Sequence, residues 1–140
     1  MIRLNRELLQ QLSEQDLRVA KVLLERKRWP GAYYLAGYSV ECALKACIAK
    51  LTRANDFPHK DSPKVFTHNL DLLVELAGLK QARINRAESS RDFKLSWAEV
   101  LKWSEESRYD LSTGEREAKN LINAISDNQE GVLPWIKRHW

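Results

Sequence analysis

Residues Ala32 to Lys50 read AYYLAGYSVECALKACIAK, the most apolar run in the chain, and Glu41 and Lys45 are its only charges before the terminal lysine. The run is too long for a strand and contains no proline, so it reads as a helix. Trp29-Pro30-Gly31 just before it stops one helix, and Pro30 can open the next. We place this second helix at about residues 31–53. It is apolar nearly all round, which marks a central helix packed on several sides. At about 100° per residue, Tyr34, Tyr38, Glu41 and Lys45 form one stripe about 60° wide on it. Glu41 precedes Lys45 by four residues, the favoured order for a helical ion pair. A plain solvent face explains such a stripe. The two tyrosines, apolar bodies with a polar tip, favour an interface or ligand groove instead.

The rest of the chain reads outward from that helix. Leu4, Leu8, Leu12, Val19, Val22 and Leu23 give a charged first helix with one apolar stripe, broken or capped near Ser13. After the second helix comes a loop, NDFPHKDSPKVFTH (Asn55–His68), and then a short helix in NLDLLVELAGL, capped by Thr67 or Asn69 with Gly78 near its end. Residues 80–90 are weakly patterned but helical. Trp97, Val100, Leu101 and Trp103 are helically spaced over 96–104, and the two tryptophans belong to the core. A capping box at Ser112–Glu115 opens the last long helix, which runs to about Asn128. No stretch alternates with period two, so the expected fold is all-α, an up-and-down bundle of four to five helices in one domain spanning 1–140. A bundle this small rarely covers a helix that is apolar on every side, and this predicts a homodimer.

Composition narrows the function classes. The chain has 140 residues, 44% apolar and 30% charged, with a net charge of +4. That excludes a disordered chain and permits an anionic partner without requiring one. Glu41 and Lys45 make a bilayer span costly, and no signal peptide opens the chain, so a cytoplasmic protein is expected. Cys42 and Cys47 lie about 140° apart around a helix, which disfavours a disulfide; they read as buried apolar residues. His59, His68 and His139 are too scattered for a metal site, and no glycine falls in a phosphate-loop or dinucleotide pattern. No cofactor is expected. His68 in THNL reads as a cap or buttress of the short helix. Arg108-Tyr109-Asp110 is a candidate phosphate or nucleotide contact at the mouth of the last helix. A structural turn held by an Arg–Asp pair is the competing account and has the slight edge. Trp135 and Trp140 with Lys137, Arg138 and His139 form a basic aromatic tail suited to nucleic acid or a partner.

Three stretches together carry a family resemblance. RWPGAYYLAGYSVECALKACIAK (Arg28–Lys50), FTHNLDLLVELAG (Phe66–Gly78) and LKWSEESRYD (Leu101–Asp110) occur in the order found in the HEPN domain family of prokaryotes, which the chain resembles over nearly its whole length. The resemblance implies a helical bundle, usually homodimeric, from toxin–antitoxin, defence and RNA-processing systems, often paired with a minimal nucleotidyltransferase. It also implies that active members are metal-independent ribonucleases, using an arginine followed four to six residues later by a histidine near the last helices. Here Arg108 is followed by YDLSTGEREA, without a histidine. The one literal match, Arg53 to His59, sits in the loop after the second helix and is at chance level. The expectation is therefore a binding module for nucleotide, RNA or a nucleotidyltransferase, with no nuclease activity. The alternative is a toxin-type ribonuclease using Arg108, Tyr109 and His68.

Overall fold

In the computed structural model, which describes residues 2–52, 55–58 and 63–140, helix α2 (Trp29–Lys50) is the axis of the molecule. Every residue from Ser39 to Ala49 is buried, Glu41 and Lys45 included. Ala36, Ala43, Ala46 and Ala49 have no exposed surface, and such small side chains let neighbouring helices approach closely. Pro30 lies in the first turn, where its missing N–H costs nothing.

Helix α1 (Arg6–Glu25) makes the most extensive pairing with α2. Asn5 caps it, its side-chain oxygen accepting from the Leu8 N–H at 2.8 Å. The expected break near Ser13 is absent. Ser13 is fully buried in the seam and its Oγ donates to the Ser39 carbonyl at 2.6 Å. A hydroxyl that resembled a cap in sequence instead joins two helices, because Leu9, Ser13 and Ala20 form one continuous buried stripe.

Helices α3 (Leu70–Leu76), α4 (Lys80–Ser89) and α5 (Arg91–Val100) follow. α5 begins five residues earlier than expected, because Ser90 caps it and Phe93, with no exposed surface, anchors its first turn. Trp97 and Trp103 are buried as expected, although Trp103 lies just beyond the helix. A 3-10 helix, Glu105–Tyr109, then runs against α2. Helix α6 (Glu115–Ser126) starts where Glu117 accepts the Gly114 N–H at 2.7 Å, and α7 (Val132–Lys137) closes the chain on α2, α5 and α6.

The described residues hold seven α-helices and no named strand. The all-α class stands, and the count exceeds four to five because the short helical segments α3, α4 and α5 each form a separate helix and the tail, read without one, holds α7. α2 is covered by α1, α3, α6, α7 and the 105–109 segment of its own chain. The reason advanced for a homodimer, an apolar helix too large for one chain to cover, therefore does not hold. Among the described residues no helix is long and apolar enough to cross a membrane.

Candidate functional site

The charges in the opening stretch point inward. Glu41 is 2% exposed and Lys45 9%. A buried charge needs hydrogen-bonded partners, and Glu41 has two. Its Oε2 accepts from Lys45 Nζ at 3.1 Å, and its Oε1 lies 2.8 Å from His68 Nδ1. The other ring nitrogen, His68 Nε2, is 2.9 Å from Glu105 Oε2. A polar chain thus runs from Lys45 in the core through Glu41 and His68 to Glu105 on the 3-10 segment. The cap of α3 is Asn69, which accepts from the Leu72 N–H at 3.0 Å. His68, one residue earlier, reaches away from that helix towards α2, so it is a bridge and not a cap.

Aromatic rings enclose this chain. Tyr34 and Tyr38 are half-buried with ring centroids 5.0 Å apart, and Tyr38 meets Trp103 edge-on at 5.7 Å and His68 at 6.1 Å. Burial, followed by the Tyr34 hydrogen bond, holds the Tyr38 hydroxyl well above its ordinary pKa. Trp103 can lie there only because residue 37 is glycine: a Cβ would come within 2.2 Å of the indole ring.

Above the bridge opens a groove of about 600 Å³, walled by His68, Leu70, Leu101, Trp103, Glu105 and Glu106. The Arg108 guanidinium sits 5.8 Å from the Tyr34 ring and 5.4 Å from the Tyr109 ring. Tyr109 is 78% exposed. The Arg108–Asp110 pair expected of a structural turn is not formed. Asp110 accepts instead from the Ser112 N–H at 2.9 Å and the Ser112 hydroxyl at 2.5 Å, and these bonds hold its carboxyl below its ordinary pKa. The end of α6 is no place for a phosphate either. Its first turn carries Glu115 and Glu117, and the Glu117 carboxylate already takes the Gly114 N–H.

The other sequence candidates fall elsewhere. Cys42 and Cys47 are free and buried, and burial pushes both thiols up to about 12. Arg53 and His59 lie outside the described residues. Among the described residues no three His, Cys, Asp or Glu side chains cluster as metal ligands do. The basic aromatic tail is not a free arm. Trp135 is buried with its ring 5.2 Å from that of Phe93, and Arg6 donates to the Trp140 carbonyl at 2.7 Å. Lys137 lies 5.4 Å from the Trp140 ring. The tail folds back because Val132, Leu133 and Ile136 bury the face of α7. Sequence reasoning missed Glu105 and the contact of Trp103 on Gly37. Both depend on a tertiary approach of the 101–109 segment to α2, for which no local spacing gives a sign.

An all-α bundle around one central helix, with a buried Glu–Lys pair joined through a histidine to a second glutamate, is a helical module and not a phosphate-loop or dinucleotide fold. The family model that matches is the HEPN domain, over residues 6–127, and the chain belongs to that family. No curated protein and no solved structure gives a significant match.

Proposed function

We propose that this chain is a HEPN binding module of the cytoplasm that holds single-stranded RNA or a nucleotide at Arg108 and Tyr109, and that it does not cut RNA itself. The observation that carries the reading is the exposed Arg108 guanidinium set between the Tyr34 and Tyr109 rings, with Tyr109 open to solvent. A guanidinium on aromatic faces keeps its N–H fork free for phosphate, and an exposed ring beside it can stack a base. The net charge of +4 is consistent with such a ligand. Fluorescence anisotropy with a labelled single-stranded oligoribonucleotide tests this. Arg108→Ala should weaken binding for every sequence and flatten the salt dependence, and Tyr109→Ala should weaken it by about 1–3 kcal/mol. Unchanged binding in both variants would sink the reading. A homodimer and a minimal nucleotidyltransferase partner belong to the proposal on the strength of family membership.

One observation favours a second reading, a toxin-type ribonuclease. His68 lies 6.1 Å from the Tyr38 ring and Arg108 5.8 Å from the Tyr34 ring, and those two rings are 5.0 Å apart, so a histidine and an arginine far apart in sequence flank one tyrosine pair. Against it, both nitrogens of His68 face carboxylates, leaving neither directed at a substrate. RNA incubated with the purified protein, with and without divalent metal, should stay intact. Cleavage abolished by His68→Ala or Arg108→Ala would replace the binding reading with this one.

A further inference from the structure

His68 joins the buried Glu41 of α2 to the 3-10 segment that carries Arg108 and Tyr109, two elements that otherwise meet through packing and the Arg108–Tyr34 contact. The segment contributes no buried residue of its own, so its position depends on what it is tied to. The charged and titratable groups facing the ring are Glu41 and Tyr38 on α2 and Glu105 on the segment; Lys45 lies behind Glu41, and Glu106 lines the same groove. A carboxylate only accepts, and a neutral imidazole has one N–H. The neutral ring can therefore donate to Glu41 or to Glu105, and only the doubly protonated ring donates to both. The choice a neutral ring makes follows from exposure. The Glu41 side chain is 3% exposed and would be left in a dry site, whereas the Glu105 side chain is 49% exposed and water can replace the ring.

Resting on the RNA-binding reading above, we propose that His68 is the positioning residue of the Arg108–Tyr109 surface. Its doubly protonated ring ties the 105–109 segment to Glu41, and RNA binding weakens as pH rises and the second proton leaves. The ring touches no RNA; it acts through the segment.

Glu105→Gln separates this device from a merely structural histidine. A glutamine amide can donate to the bare Nε2 of a neutral ring and, turned over, accept from the protonated one, so the bridge survives in both states of the ring. Residue 105 is half-exposed, so the variant should fold. The measurement is anisotropy of a labelled single-stranded oligoribonucleotide from about pH 5.5 to 8 at fixed salt. Wild-type affinity should fall roughly three- to tenfold across that range, the scale of one ordinary hydrogen bond, as suits a bond to a half-exposed carboxylate. Glu105→Gln should bind with a flat profile, and His68→Ala should be flat and as weak as the wild type at high pH. A flat wild-type profile, or a Glu105→Gln profile that falls like the wild type, overturns the proposal and leaves the RNA reading standing. No binding by folded protein at any pH overturns both.

Discussion

Glu41 carries its charge into a site where it is 2% exposed, and that fixes what its loss should cost. Removing one partner of a buried ion pair typically costs about 3–5 kcal/mol, because the other charge stays behind without compensation. Glu41→Ala strands Lys45 and also frees His68. We expect a loss near the low end of that range, since Lys45 keeps 11% of its side-chain surface and the Phe57 ring lies 5.8 Å away. Glu41→Leu combined with Lys45→Met should recover most of the stability, as buried pairs replaced by apolar groups often do. Denaturant unfolding of the singles and the double measures this, and a coupling below about 0.5 kcal/mol would mean the pair is wet and weak. The stripe itself was legible: helical spacing places Tyr34, Tyr38, Glu41 and Lys45 in line. What covers it was not, since His68 and Trp103 arrive from distant segments.

At the scale of elements, the α1–α2 seam holds a second buried acid. Asp16 on α1 lies half-buried with Cys42 Sγ 4.0 Å from its Oδ2, and burial raises its pKa to about 6. Folding thus favours the protonated carboxyl, and the folded chain holds more proton than the unfolded one between about pH 4 and 6. Stability should therefore fall as pH rises through that window and stay lowered above it. Asp16→Asn should stabilise at pH 7 by about 1 kcal/mol, a figure reduced for the water that still reaches the group. It should also flatten the slope between pH 4 and 6. Unfolding midpoints in urea at a series of pH values decide it, and an unchanged slope would show that the charge is solvated. This seam also shows where sequence reading fails. Leucine spacing located α1, yet Ser13 reads as a cap because a serine's partner, here a carbonyl on another helix, leaves no trace in local pattern. The boundaries of α5 slipped for the same reason: Phe93 decides where it begins, and that depends on its burial against α7.

For the whole molecule, the question is whether one chain suffices. α2 needs no second copy to cover it, so any dimer must use the outer surface, where Val19 and Val22 of α1 are 39% and 53% exposed. We expect sedimentation at micromolar concentration to give a dimer, with Val22→Glu shifting it to the 16.3 kDa monomer; a wild-type monomer would remove pairing from the proposal. The fold class and the central helix were legible from composition and period alone, because an apolar helix of 22 residues has few ways to hide. Its two cysteines give the molecule a built-in clock. With thiols near 12 and only 8% and 2% exposed, Cys42 and Cys47 should be alkylated fast only while α2 is uncovered. Because α2 is packed by α1, α3, α6, α7 and the 105–109 segment, that uncovering amounts to opening the bundle. The labelling rate under native conditions therefore reads the population of opened chains directly, without denaturant and without an engineered residue.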